Sequence, residues 1–209
     1  PDFPTGGQML LPGLLTTVDG MPGLTLHAGD LDSTVGDIAD LTADYDVVVA
    51  DSPGVLPGWS ERGLAVVQLM REPLDIALPE GHPLGARSSL SPADLADQTW
   101  IGTPEGLPFD RILRRIEGAN GTPARIAQRF ADNGIVESLV AAGHGIAILP
   151  RYTTRDRENG LITRPLTGVR ASRLISVLMR PDRAERPSVR AVVTALRDEA
   201  ARFEAQHTG

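Results

Sequence analysis

The stretch from Asn133 to Pro150 constrains this chain more than any other. Ile135, Val136, Leu139 and Val140 recur at the spacing that puts apolar side chains on one face of a helix. Asn133 suits the capping position at the start of that helix. Gly143 follows Ala141-Ala142 and can take the left-handed conformation that closes a helix. Gly145 clears room for close backbone packing. Ile146-Ala147-Ile148-Leu149 is a short all-apolar run stopped by Pro150, as expected of a strand buried on both faces. A helix turned straight into a buried strand specifies open α/β layers. The helix start at Asn133 offers free backbone N–H groups to a ligand.

The same alternation runs along the chain. Gln8 to Val18 reads as a helix through Leu10, Leu11, Leu14, Leu15 and Val18, with Pro12 tolerated in the first turn. Leu24 to Ala28 alternates like a strand, and Asp32-Ser33 opens a short helix with Val35, Ile38 and Leu41 inward. Asp46 to Ala50 reads as a buried parallel-type strand that leaves through a turn at Asp51-Ser52-Pro53-Gly54. Leu64 to Leu69 and Leu74 to Leu78 read as two strands joined by residues 70–73. Ser91-Pro92-Ala93-Asp94 is a helix start with cap, proline and acid in place. Gln98 to Ile101 is a strand that enters the loop Gly102-Thr103-Pro104. Phe109 to Glu117 is a helix with Phe109, Ile112, Leu113 and Ile116 on one side and Arg111, Arg114 and Arg115 mostly on the other. A strand at 125–130 follows. A short helix at 152–157, strands at 161–166 and 173–179, and a long amphipathic helix at 187–206 complete the chain.

Composition narrows the function classes. A length of 209 residues fits one large domain or two small lobes. Hydrophobic residues are 41% and aromatics 4%, so the core is aliphatic. The net charge of -7 argues against a surface built to grip phosphates. All 20 basic residues are Arg. There is no Cys, hence no disulfide framework and no thiolate metal site. No apolar run reaches membrane-spanning length. The nucleophile elbow, the phosphate-binding loop, the dinucleotide fingerprint and the HExxH motif are all missing from the sequence.

Four stretches line up in order: Leu10-Leu11-Pro12-Gly13-Leu14-Leu15, Asp46-Val47-Val48-Val49, Gly81-His82-Pro83-Leu84, and Val140 to Pro150. Each alone is weak. Together, at this spacing and over nearly the whole chain, they resemble the effector-binding domain of LysR-type transcriptional regulators. The resemblance implies an α/β fold of the type 2 periplasmic-binding-protein kind: two α/β lobes joined by two crossover strands, with a small-molecule cleft between them. Residues 1–71 and 171–209 would form lobe I, and residues 72–170 lobe II. The family's N-terminal helix-turn-helix would precede Pro1, and DNA would be bound only through it. A chain opening at Pro1 without Met reads as a fragment or processed product. Homodimers or tetramers are implied, with Gln8–Val18 and Leu24–Ala28 packing against their counterparts in a partner. A cytoplasmic location, away from any membrane, is implied as well.

In that family the effector lies against helix N-termini and loops at strand ends, where open sheets generally bind ligands. The matching positions are Thr5, Gly6, Gly7, Ser33, Thr103, Pro104 and Asn133. Each has a plainer reading. Thr5, Ser33 and Asn133 suit helix caps, and Thr103 suits a turn before Pro104. Asp51-Ser52 could rim the cleft or be a solvated turn. His82 reads as a turn residue, His144 as a packing or surface residue, and the arginines of 109–117 as a solvated helix face. No catalytic residue, metal or cofactor is expected. The effector expected is an organic or amino acid. Two other readings share the fold: a transporter's solute-binding protein, and a small-acid dehydratase, which would need a proton-transfer pair in the cleft.

Overall fold

The computed structural model describes residues 5–29, 38–154 and 160–207; for Thr5 and His207 it describes the backbone only. The chain divides into two compact units. Unit 1 comprises Phe3–Arg71 and Leu174–Gly209, and unit 2 comprises Glu72–Arg173. The chain passes between them twice, within strands β2 (Ala65–Pro79) and β7 (Ser172–Met179). Among the described residues no helix is long and apolar enough to cross a membrane.

In unit 1 a π-helical turn at Thr5–Leu10 runs into α1 (Leu11–Asp19). Pro12 sits in the first turn of α1, directly after the π-helical turn. Met9, Leu10, Leu14 and Val18 are buried. Helix α1 packs on α6 (Pro187–His207), which buries Val189, Val192, Val193, Ala195, Leu196 and Ala200. Gly13 leaves room at that contact for the Glu199 carboxylate, which a Cβ there would displace. Strand β1 (Val48–Ser52) pairs with β7 in the register Val48↔Leu178, Ala50↔Ser176 and Ser52↔Leu174. Trp59, on α2 (Pro57–Glu61), packs with Ala39, Val48, Ala50 and Leu178.

Three expectations need correction here. Strand β1 is antiparallel, not parallel, and starts two residues later. An apolar run reports burial and not direction; the partner is a strand returning from the far end of the chain. Asp51 and Ser52 belong to β1 and not to a turn, with the Ser52 hydroxyl donating to the Gly54 carbonyl at 2.7 Å. Residues 24–28 are irregular and half or fully exposed. Alternation makes a strand only where a ladder partner is present. The helix expected from Asp32 is described only as a 3₁₀ segment at Ile38–Ala43; Asp32, Ser33 and Val35 lie outside the described residues.

In unit 2, β2 is one strand through residues 70–73 and not two. Proline cannot donate to a ladder but it can accept, and the Pro73 carbonyl takes the Arg151 N–H at 3.0 Å. Strands β5 (Ala147–Pro150) and β6 (Leu161–Pro165) both pair antiparallel with β2, as Ile76↔Ile148 and Ile76↔Arg164 show. The strand order is β1-β7-β2-β5, with β6 also on β2. Strands β3 (Thr99–Gly102) and β4 (Arg125–Arg129) form a separate parallel ladder. Ile146 joins β3 to the start of β5 through the Ile146 N–H to the Thr99 carbonyl and the Ile101 N–H to the Ile146 carbonyl, both at 2.8 Å. Gly145 permits that approach: a Cβ there would lie 2.8 Å from the Thr99 carbonyl oxygen. Gly143, at φ +80°, closes α4 (Asn133–Ala141) as its position suggested.

Helix α3 (Pro108–Asn120) lays Phe109, Ile112, Leu113 and Ile116 against Leu74, Ile76, Leu78 and Trp100. Helix α4 lays Val136 and Val140 against Ile101, Ala147, Leu149 and Leu161. Burying side chains of this size is worth about 1.5–3 kcal/mol each, so these two faces hold the helices on the strands. Ser91 and Asp94 form the expected capping box, on a single 3₁₀ turn at Pro92–Leu95. The helix expected at 152–157 falls partly outside the described residues; Arg151–Thr153 are a turn.

Candidate ligand site

Parallel strands β3 and β4 end side by side, with Gly102 opposite Arg129. The Phe130 N–H donates to the Gly102 carbonyl at 2.9 Å as the strands part. Each strand then enters a short loop that starts a helix: residues 103–107 before α3, and residues 130–132 before α4. Carboxyl ends of neighbouring parallel strands and fresh helix N-termini thus share one edge of unit 2.

Thr103 lies on that edge. It is only 9% exposed, and its hydroxyl has no hydrogen-bond partner among the described residues. A buried hydroxyl left unmatched costs about 1–3 kcal/mol, so one at a loop edge calls for an explanation such as a water, an ion or a ligand. The next loop offers a second such group. The side-chain Nδ2 of Asn133 is buried without a partner. Asn133 does not cap α4. Asp132 does, with its Oδ1 accepting the Ile135 N–H at 3.0 Å. Two cap-competent residues stand in a row, and the one with extended backbone, Asp132 at ψ 116°, takes the role. Asn133 becomes the first helical residue, and its side chain does not cap the helix.

The 103–107 loop is pinned from below by groups the sequence reading missed. Arg129, at the end of β4, donates from Nη1 to the Thr103 carbonyl and to Oδ1 of Asp110 at 3.0 Å. Oδ2 of Asp110 accepts the Gly106 N–H at 3.1 Å. Asp110 is 4% exposed. Burial pushes its carboxyl upward, but the Gly106 N–H, the Arg129 hydrogen bond and the charges of Arg114 and Arg129 outweigh that and hold it below the usual value. Asp110 is therefore an ionised strut and not a proton donor. The Pro104 carbonyl accepts the Leu107 N–H at 3.3 Å and closes the turn. Asp110 and Arg129 lie on different elements, so no local pattern pairs them; only an acid in the first turn of α3 hints at the strut.

The other expected positions fall elsewhere. Thr5, Gly6 and Gly7 form the π-helical turn of unit 1. A Cβ on Gly7 would meet nothing within 4 Å, so no neighbour in unit 1 demands glycine there. Ser33 lies outside the described residues. Nδ1 of His82 accepts the Leu84 N–H at 3.2 Å, which makes it a turn residue. His144 is exposed. Arg114 pairs with Glu117 at 3.1 Å on an exposed helix face. A hollow lined by Glu80, His82, Gly85 and Ile162 shares no residue with the Thr103 edge.

Two α/β units linked by two strands, with an unsatisfied polar edge at parallel strand ends, define a type 2 periplasmic-binding-protein-like domain. The chain belongs to the LysR substrate binding domain family, whose model matches residues 4–201. It is similar to the HTH-type transcriptional regulator CysL of Bacillus subtilis, with 27% identity over 153 residues, 72% of this chain and 49% of CysL. The chain spans between a third and a half of the length of the curated relatives it matches. In fold it is similar to an OxyR mutant from Corynebacterium glutamicum, with a TM-score of 0.76, 23% identity, and 98% and 64% of the two chains covered. It is also similar to the CcmR regulatory domain of Synechocystis PCC6803 solved in complex with 2-PG, with a TM-score of 0.73, 16% identity, and 93% and 92% covered.

Proposed function

We propose that this chain is the effector-sensing domain of a LysR-type transcriptional regulator. It binds a small organic or amino acid and carries out no chemistry on it. Units 1 and 2 correspond to the two lobes, and the effector binds in the cleft that the family places between them. Thr103, Pro104 and Asn133 contact it from unit 2, and Thr5, Gly6, Gly7 and Ser33 from unit 1. The effector binds one arrangement of the lobes better than another, and that differential affinity shifts the population. Homodimers or tetramers form through α1 and residues 24–28, where Leu15 is 36% exposed. DNA is bound by a separate N-terminal domain, in the cytoplasm.

The observation that carries this reading is the buried, unmatched hydroxyl of Thr103 beside parallel strand ends. Its loop is held by an ionised strut. The family match and the small-molecule complex of CcmR support a small acid as the first class to screen. The test is a thermal-shift screen of small carboxylic and amino acids on the wild-type chain and on Thr103→Val. A compound at about 100 times its Kd should add about 2.7 kcal/mol of stability. Thr103→Val should keep or slightly raise the unliganded melting temperature and lose that shift. A binder indifferent to Thr103→Val, or turnover of any binder, would overturn the assignment.

A further inference from the structure

Unit 2 holds a second buried ion pair at the residues where the chain passes between units. Glu72 in β2 is fully buried, and Arg173 in β7 is 2% exposed. Nε and Nη2 of Arg173 each reach Oε2 of Glu72 at 2.7 Å. The Arg173 guanidinium also lies over the Phe109 ring, 5.7 Å from its centroid, within cation–π range. Phe109 is the residue before Asp110, and both belong to the first turn of α3. One residue of that turn therefore touches the crossover pair. The next residue holds the Gly106 N–H and, through Arg129, the Thr103 carbonyl.

We propose that the first turn of α3 couples the 103–107 loop to the Glu72–Arg173 crossover pair, with Asp110 and Arg129 as positioning residues for Thr103. The route is continuous: Thr103, Arg129, Asp110, Phe109, Arg173, Glu72. A helical turn transmits displacement because its hydrogen bonds and side-chain packing leave it little freedom. Both ends resist partial states. Parting either pair would take a charged partner from a buried carboxylate, Asp110 or Glu72. A ligand that seats the loop thereby biases the strand residues by which the chain leaves unit 2, and the bias is reciprocal. The use of this coupling for sensing rests on the Thr103 reading above. The coupling itself belongs to the unliganded chain.

Hydrogen exchange on the whole chain without ligand tests it, read at the Gly106 amide. Asp110→Asn should speed exchange there by about tenfold or more, since it weakens the acceptor. Glu72→Gln should speed the same amide by about threefold or more and leave β1 amides unchanged. In a Phe109→Leu background that response to Glu72→Gln should disappear. Unchanged Gly106 exchange in Glu72→Gln, or an acceleration equal with and without the Phe109 ring, overturns the coupling. Where Glu72→Gln fails to fold, Glu72→Met with Arg173→Met removes both charges at similar volume. Faster Gly106 exchange then supports the proposal, and unchanged exchange overturns it. Failure of the ligand reading shows itself separately, as binding indifferent to Thr103→Val with the exchange pattern intact.

Discussion

The two units deal with buried polar groups in different ways. Unit 2 ties its interior charges together across elements: Glu72 with Arg173, Asp110 with Arg129, and Asp75 with Arg151 through two bonds of 2.7 Å. Unit 1 pairs its charges at the surface, as in Arg62–Asp40 with 45% and 68% exposure. Inside, unit 1 carries Ser176 with an unmatched hydroxyl, and Glu199 seated against Gly13. The unmatched Thr103 and Asn133 groups of unit 2 sit where strands give way to loops and helix starts, and that of Ser176 sits on a strand in the packed core. Position, and not the lack of a partner alone, is what makes the Thr103 edge a candidate site and Ser176 a packing defect.

The largest effect expected from this contrast is at the ion pair. Glu72→Ala removes the carboxylate that accepts from Arg173 Nε and Nη2 in the interior, and should cost about 3–5 kcal/mol in a urea titration. Replacing an exposed partner in unit 1, as in Asp40→Ala, should cost under about 1 kcal/mol. Next come the two crowded glycines. Gly145→Ala pushes a Cβ onto the Thr99 backbone and should cost about 1–3 kcal/mol. Gly13→Ala meets only the end of a side chain, so its cost should be smaller. In a Glu199→Ala background Gly13→Ala should turn neutral or gain about 0.5–1 kcal/mol from the better helix former.

A third difference is in pH response. The folded-state value of Asp110 lies below the ordinary 3.8, so its contribution is present above that pH and is lost as the pH falls through the folded value. Denaturation midpoints taken from about pH 6 to about pH 3 should fall less steeply in Asp110→Asn than in the wild type. The smallest effect is at Ser176. Ser176→Ala removes an unmatched hydroxyl from the core and should be neutral or stabilising by up to about 1 kcal/mol. If Thr103→Val proves equally silent in ligand binding, the distinction between edge and core orphans collapses.

Much of the fold was legible. The face of α3, the closure of α4 at Gly143, the clearance at Gly145 and the capping box at Ser91 all follow from near-neighbour rules, and all are present. Strand pairing was less so. Pro73 looked like a break in β2, yet a carbonyl suffices where its ladder contact accepts. The direction of β1 could not be read from Val47-Val48-Val49, because its partner lies over a hundred residues away in sequence. Of the candidate site, Thr103 and Asn133 were named from position, but the role of Asn133 depended on which of two adjacent caps the backbone selected.

Sequence alone determined most of the helices and the buried face of α3, because helix period and cap chemistry act between residues a few positions apart. The tertiary structure alone decided which polar groups end with partners. Arg129 reaches Asp110 across 19 positions and Arg173 reaches Glu72 across 101, while the Thr103 hydroxyl is left unmatched. Partnering is a matter of distance in space, and only the packed chain sets those distances.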